Sequence, residues 1–466
     1  MGKADLLAIL ILFAKVVVGI AIVVLTLYAA RHYGFTLYRL SLRRPRDTNE
    51  LVGFLTPRIS VLVPMHNEEG VAADVLHALV ECDYDHDRLE ILAINDRSTD
   101  RTGQIIDAFA AEHPIIKPLH RTSGAGGKGA ALIDATRQAT GDILLLFDAD
   151  YFPGRAMLKM LVSPFCDPEI GAVMGRVIPH NSGTSLLSAL LGLERAAGYQ
   201  IGQQARFNLG LTPQFGGTVG GVRATALKAV GGWNSESLTE DTDLTFRMAA
   251  SGWKIGYVNR AECYEEAPES WPVRKRQIVR WAMGHTECLH RLGGEVWSSR
   301  FMSRFEKLDA IFVLGCYWTA PILVMGWLAS LVLLFSPQAH QVPIFAVALS
   351  LVGYQLFGSQ ATFFEMGAAA LLDGKSRPAD LVPLNLVNFF ASTGAICEAL
   401  LRYYSGRIFG SPGPGWHKTK RYRETGIHSG NGNGNGNGNG HGDGGKQLYI
   451  QGANGLYSCR LEERQQ

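Results

Sequence analysis

Leu6 to Ala30 is an almost unbroken apolar run, and no other stretch of the chain narrows the possible folds as much. A helix of that length crosses a hydrocarbon core of about 30 Å. Lys15 is its only charge, and a lysine so placed extends its ammonium toward the headgroups while its methylenes stay in the apolar layer. The run exceeds the apolar core of a cleaved signal peptide, and no small-residue cleavage site follows it. Arg31, Arg39, Arg43, Arg44 and Arg46 come next, a basic flank that predicts a cytosolic position for the following segment and an outer position for the N-terminus.

The rest of the chain must then supply a soluble part. Of 466 residues, 47% are hydrophobic and 18% charged, too apolar for a wholly soluble enzyme and too polar for a pure helical membrane bundle. Lys plus Arg number 44 against 42 Asp plus Glu, and no stripe interleaves basic with aromatic residues, so a nucleic-acid partner is excluded. The seven cysteines show neither C-x-x-C pairs nor metal-type spacing, which predicts reduced thiols in a cytosolic domain.

From Arg58 onward the pattern is that of an α/β domain. Ile59 to Val63, Leu89 to Ile94 and Ile143 to Phe147 are short apolar runs ended by polar residues, each the signature of a buried parallel strand. Helical stretches such as Val71 to Cys82 and Gly103 to His113 alternate with them, predicting a doubly wound sheet. Ligands of such sheets bind at the carboxyl ends of the strands. Acidic residues fall there: Glu68 after the first strand, Asp96 after the second, Asp148 and Asp150 after a later one.

Each of these motifs has a chemical use and a plainer alternative. Asp148-x-Asp150 at a strand end puts two carboxylates on one face, suited to a hard divalent cation that also touches a diphosphate; a lone pair of this kind is more often a solvated loop. Asp96 is equally a strand terminator or helix cap, with Ser98 and Thr99 beside it. Gly124 to Gly129 is glycine-rich around Lys128 but lacks the Ser or Thr that a P-loop needs after its lysine, which argues against a nucleoside triphosphatase; the plainer reading of Lys128 is a flexible loop before the helix that starts near Ala130. Glu240 and Asp241 follow Thr239 at a helix start, where they serve as acidic cap residues or as an acceptor base. Gln277, Arg280 and Trp281 stand at i, i+3 and i+4, so they can share a helix face; the indole offers a flat surface to a pyranose and Arg280 a partner for phosphate oxygens, while an Arg-Trp pair in a basic segment is otherwise an interface anchor.

In this order, Pro64 to Glu69, Asn95 to Asp100, Phe147 to Asp150, Leu238 to Asp241 and Gln277 to Trp281 resemble the membrane-bound family 2 glycosyltransferases, which include cellulose, chitin and hyaluronan synthases. The resemblance covers Pro57 to His290 and implies the GT-A arrangement of the α/β sheet, a nucleotide diphosphate sugar donor, and Mg²⁺ or Mn²⁺ held by Asp148 and Asp150. It implies that Glu68, Asp96, Lys128, Asp148 and Arg280 bind the donor, that Asp241 is the base with Glu240 orienting the acceptor or tuning the site, and that Gln277 and Trp281 engage the acceptor. Phe215 to Gly221 looks like the family's loop near the acceptor, without the cysteine that cellulose synthases carry there.

Downstream, Leu308 to Phe335 and Phe345 to Leu372 are each long enough to span, and Lys375 and Arg377 return the chain to the cytosol. Leu381 to Leu401 carries Asn385, Asn388, Ser392, Thr393 and Glu398, which predicts a re-entrant or interfacial segment. Ser185 to Phe207, with Leu186, Leu190, Leu193 and Ala197 on one face, is either an interfacial amphipathic helix or one packed on the sheet. The expected division is a membrane helix (1–31), a basic linker (32–57), a glycosyltransferase domain (58–300), membrane helices with the re-entrant segment (301–405), a basic segment (406–428) containing Trp416 to Arg421, an Asn/Gly linker (429–445) and an unassigned tail (446–466). The whole predicts an inverting, metal-dependent transferase of the inner membrane, its catalytic domain cytosolic and its acceptor a growing polysaccharide. A glycolipid synthase with a lipid acceptor is the first alternative, and a catalytically inactive scaffold of an export system, with export partner proteins, the second.

Overall fold

Alternate residues of the first strand pack on opposite sides of one sheet. A computed structural model describes residues 3–42, 45, 47–336, 360–374, 377–410, 447–452 and 455–460. The strands are β1 (Ile59–Met65), β2 (Leu89–Asp96), β3 (Ile116–Arg121), β4 (Ile143–Leu146), β5 (Phe152–Pro153), β6 (Ile170–Pro179), β7 (Gly220–Arg223) and β8 (Lys254–Glu265). They lie in the order β3-β2-β1-β4-β7-β6-β8-β5. β1 to β4 run parallel; β1, β2 and β4 are the strands that the apolar runs predict, and β3 joins them at the edge. The far half is mixed: β7 is antiparallel to both β4 and β6, β8 is parallel to β6, and β5 is antiparallel to β8. β7 carries no hydrophobic period because its glycines are there for close approach; a Cβ at Gly220 would lie 2.5 Å from the Val173 carbonyl oxygen.

The chain begins with α1 (Lys3–Ser41), and α2 (Ala72–Val80), α3 (Thr102–Glu112), α4 (Lys128–Gln138) and α5 (Met157–Val162) then intervene between strands. α6 (Leu186–Ala196), a π-helix (Ala197–Gln203) and α7 (Gln204–Leu209) leave the sheet, and α8 (Ala224–Ala229) and α9 (Glu240–Ala250) return to it. Val61, Val63, Ile91 and Ala93 pack with Val75 and Leu79 of α2 and with Leu158 and Leu161 of α5. Leu62, Leu92, Leu144 and Leu146 pack on the other side with Leu132 of α4 and Leu244 and Met248 of α9. Both faces are therefore buried, and the strands need no polar alternation.

α10 (Trp271–Ser298) and α11 (Arg304–Leu314) join the sheet layer to α12 (Thr319–Leu334), α13 (360–372) and α14 (Asn385–Phe409). Phe246 and Ala249 of α9 pack with Cys288, Leu292 and Val296 of α10 and with Ala310 and Leu314 of α11, and α10 in turn packs on Ala399 and Leu400 of α14. Among the described residues, three helical stretches are long and apolar enough to cross a membrane: Asp5–Ser41, Cys316–Leu334 and Asp380–Phe409.

Several expectations are corrected here. Leu308 to Phe335 is not one helix; Gly315 and a short 3₁₀ turn separate α11 from α12, and Asp309 is buried in protein. Leu381 to Leu401 falls largely within the continuous α14, and its Asn385, Asn388 and Thr393 are buried. The Ser185 to Phe207 stretch buries Leu193 and Ala197 against Met366 and Ala369 of α13, whereas Leu186 is exposed. Within the basic flank, Arg31 Nε pairs with Asp309 at 2.7 Å and Arg39 Nε donates to the Gln200 carbonyl at 3.1 Å. Arg43, Arg44 and Arg46, most of the predicted second span, Lys375 and Trp416 to Arg421 lie outside the described residues. Cys82, Cys166, Cys263, Cys288, Cys316 and Cys397 are free thiols. In the tail, Gln447–Gly452 and Gly455–Arg460 pair as an antiparallel hairpin.

Candidate active site

Two strand exits are stitched into one floor. Asn67 and Arg97 both adopt left-handed backbone (φ 54° and 57°), turning the chain sharply after β1 and β2. The Asn67 amide donates to Ser98 Oγ at 2.9 Å, Thr99 N to Asn67 Oδ1 at 2.7 Å, and Glu68 N to Thr102 Oγ1 at 2.8 Å. Glu68 is buried beneath this stitch. Asp96 is buried too, accepting from Arg121 Nη1 at 2.5 Å, Arg97 Nε at 3.0 Å and the Gly127 amide at 3.1 Å. It caps no helix; Asp100 takes the Thr102 amide at the start of α3. The glycine loop thus closes on Asp96, and Gly127, at φ 100°, lets it turn directly into α4 with Lys128 as the first helical residue.

Lys128 connects this floor to the acidic cluster. Its Nζ donates to Asp148 Oδ1 at 2.5 Å. Burial works against its charge, but Asp148, Glu240 and Asp241 together hold its pKa above the ordinary lysine value. β4 ends at Leu146, so Asp148 and Asp150 sit in the turn beyond the strand and not on one pleat face: Asp148 is half-buried against Lys128, whereas Asp150 is buried. Among the described residues no three ligating side chains converge. Two carboxylates from one turn suit a hard ion that completes its shell with phosphate and water oxygens, and so fit Mg²⁺ or Mn²⁺ better than zinc.

Glu240 and Asp241 open α9. Thr239 occupies the N-cap position without a side-chain cap bond, so the carboxylates lie in the first turn for reasons other than capping by Thr239. Burial and the neighbouring Asp241 raise the Glu240 pKa, and Lys128 and Arg280 oppose them. Asp241 Oδ1 accepts from the Thr242 amide at 2.6 Å and from its hydroxyl at 3.3 Å. Gly217, at φ 71°, lies against Asp241, where a Cβ would approach Oδ2 to 3.3 Å. The approach to that oxygen is kept clear by the glycine.

Gln277, Arg280 and Trp281 are on α10 but serve two places. Gln277 and Trp281 line a cavity of about 140 Å³ with Leu191, Glu194, Arg195, Glu265 and Arg274. The Arg195 and Arg274 guanidinium carbons lie 5.5 and 5.4 Å from the Trp281 ring centroid, so the indole already engages two cations. Arg280 turns to the other side, donating to the Leu238 carbonyl at 3.2 Å beside Glu240. Sequence reasoning missed Glu194, Arg195, Glu265 and Arg274. Glu265 accepts from Arg195 Nε and Tyr151 Oη, both at 2.7 Å, linking the cavity to the Asp150 turn. Asn388 of α14 and Arg274 both donate to Glu194, at 2.5 and 2.6 Å. Only Arg274, in the basic run before Gln277, had any local signal.

Residues 57–284 match the model of the glycosyltransferase like family 2. The chain is similar to a probable glycosyltransferase, YdaM, of Bacillus subtilis (strain 168), at 35% identity over 255 residues, covering 54% of this chain and 59% of that protein. It is also similar to a beta-monoglucosyldiacylglycerol synthase of Synechocystis sp. (strain ATCC 27184 / PCC 6803 / Kazusa), at 34% identity, covering 49% of this chain and 48% of the synthase. The match therefore spans about half the length of these curated relatives. Among solved structures the fold is similar to that of the mannosyltransferase PcManGT from Pyrobaculum calidifontis, solved with GDP-Man and Mn²⁺, with a TM-score of 0.54, 23% identity, and coverage of 76% of this chain and 98% of that one.

Proposed function

The chain belongs to the family 2 glycosyltransferases through residues 57–284, and from that premise we propose that it transfers a sugar, with inversion, from a nucleotide diphosphate sugar to an acceptor hydroxyl at the cytosolic face of the inner membrane. The observation that carries this is the cluster in which Lys128 pairs with Asp148 and faces Glu240 and Asp241. Asp241 Oδ2 takes the proton of the acceptor hydroxyl while that oxygen bonds to the anomeric carbon. The bond from that carbon to the diphosphate breaks on the opposite face, and the electron pair leaves on the phosphate oxygen. Lys128 and Arg280 are cations that face Glu240, and Lys128 faces Asp241 as well. Asp148 and Asp150 would hold Mg²⁺ or Mn²⁺, which supplies positive charge to the departing diphosphate when bound. Glu68 and Asp96 shape the nucleotide end, and the Trp281 cavity receives the acceptor.

The acceptor proposed first is a growing polysaccharide, with export partner proteins beyond the membrane. A lipid acceptor is the second reading, favoured by the similarity to the beta-monoglucosyldiacylglycerol synthase. Membranes containing the protein, incubated with a panel of labelled nucleotide sugars, decide between them: label in sized, water-soluble chains supports the polymer, and label in the organic phase at one sugar per lipid supports the glycolipid. Asp241→Asn should abolish both products, by about 10²- to 10⁴-fold, with donor binding retained. Near-normal turnover of that variant removes Asp241 from the role of base.

A further inference from the structure

Among the described residues, hydrogen bonds hold the carboxylate of Asp241 at one oxygen, Oδ1, and the residues that hold it form an ordered chain. The Trp281 carbonyl can only accept, so His285 Nδ1, 3.1 Å away, carries the proton of the neutral ring. His285 Nε2 is then an acceptor, and the Gln214 side-chain nitrogen lies 3.4 Å from it. The same nitrogen donates to Thr242 Oγ1 at 2.8 Å. With its oxygen so engaged, the Thr242 hydroxyl donates to Asp241 Oδ1 at 3.3 Å, beside the Thr242 amide at 2.6 Å. Every bond points one way, from the Gln214 amide outward.

The frame around these bonds is buried and cross-linked. Thr242 is fully buried and His285 nearly so, with its ring edge against Tyr317 at a 5.1 Å centroid distance. Gln214 is fixed through its backbone: Gln203 Nε2 donates to the Gln214 carbonyl at 2.7 Å, and the Gln214 amide returns the bond to Gln203 Oε1 at 2.9 Å. Gln203 closes the π-helix Ala197–Gln203, and π-turns recur at functional sites because the extra residue re-aims side chains. Thr245 Oγ1 accepts from Phe215 N at 3.1 Å and donates to the Asp241 carbonyl at 2.8 Å, locking the Gln214 segment to α9.

We propose that Gln214, Thr242 and His285 are positioning residues for the base: a one-way hydrogen-bond relay that fixes Asp241 Oδ1 and leaves Oδ2 aimed past Gly217 for the acceptor hydroxyl. The relay rests on Asp241 being the base. His285 is suited to its part because burial favours the neutral ring, reinforced by Arg280 and opposed by Asp241 and the Trp281 carbonyl. The ionisable groups facing Asp241 are Glu240 on its own helix, Lys128 of α4, His285 and Cys288 of α10, and Tyr199 of the π-helix. Arg280 faces Glu240 and His285.

The test is steady-state kinetics of the full chain in membranes with Thr242→Val, Thr242→Ser, Gln214→Glu and Asp241→Asn. Thr242→Val keeps volume and the backbone donor but loses the hydroxyl. It should lower kcat by about 10- to 100-fold and leave the donor KM unchanged, because the base loses a positioning donor and the donor site is untouched. Thr242→Ser should restore kcat. Gln214→Glu, at a half-buried position, turns the Thr242 hydroxyl away from Asp241 and should reproduce the kcat loss of Thr242→Val at unchanged donor KM. Wild-type kcat in Thr242→Val and Gln214→Glu, with Asp241→Asn inactive, would overturn the relay alone. Failure of Thr242→Ser to restore activity would reduce Thr242 to packing and also overturn it. An active Asp241→Asn would instead sink the base assignment on which the relay rests.

Discussion

Glu240 shares one helical turn with Asp241, and its pKa is pushed upward, by burial first and by Asp241 second. The consequence for stability has a definite sign. A carboxyl whose folded pKa is raised favours folding when protonated, fully so below the unfolded value of about 4.3, and that contribution is lost as pH rises through the folded value. Glu240→Gln should therefore melt higher than the wild type at about pH 7 to 8, with the gap closing below about pH 4, while its turnover falls. Thermal midpoints across that range check it; equal midpoints throughout would mean the field around Glu240 is balanced. Asp150 makes a separate case. Excess EDTA should stop turnover, Mg²⁺ or Mn²⁺ should restore it, and Asp150→Ala should mimic the chelated enzyme at any metal concentration. Undiminished turnover in EDTA would leave Lys128 and Arg280 to carry the leaving group alone.

Among elements, what the sequence reveals is what is local. β1, β2 and β4 are legible because buried parallel strands are continuous apolar runs, and Glu68, Asp96 and Asp148 because such strands deliver polar residues at their carboxyl ends. β7 is illegible, since its glycines are chosen by neighbouring backbones and not by a period of its own. Arg195, Glu265, Gln214 and His285 come from four separate segments and meet only after the sheet and α10 are in place, so no spacing announces them. The partner of Asn388 is of the same kind: Glu194 lies far away in the chain. The meeting of α9 with α10 depends on Gly284, where a Cβ would fall 2.5 Å from the Thr239 side chain. Gly284→Ala should force the two helices apart at the residue before Glu240, costing about 1–3 kcal/mol of stability and a larger share of kcat than of donor affinity. A melt and a kcat/KM split read both; an unchanged kcat would show that the α9 start tolerates the shift.

Across the whole molecule, α1 is tied to the catalytic layer by buried charge. Asp309 accepts from Arg31 of α1 at 2.7 Å and from Arg206 of α7 at 2.9 Å, and both guanidinium groups lean on Phe35. Burial pushes the Asp309 carboxyl up, but Arg206 and Arg31 overcome this and hold it below the usual range. Its stabilisation is present above that range and is lost as pH falls through the depressed value. Asp309→Asn strands two buried cations and should cost about 3–5 kcal/mol, read as a shortened half-life in detergent at neutral pH. A half-life equal to the wild type would show that water or lipid phosphate replaces the carboxylate.

The bond from Asn388 to Glu194, and from Glu194 through Arg274 to Gln277, makes one wall of the Trp281 cavity continuous with α14. α14 is long and apolar enough to cross a membrane, and a helix that does so tilts to match the bilayer thickness around it. Reconstitution in acyl chains of graded length should then alter acceptor KM while donor KM stays flat; an acceptor KM independent of chain length would uncouple α14 from the cavity.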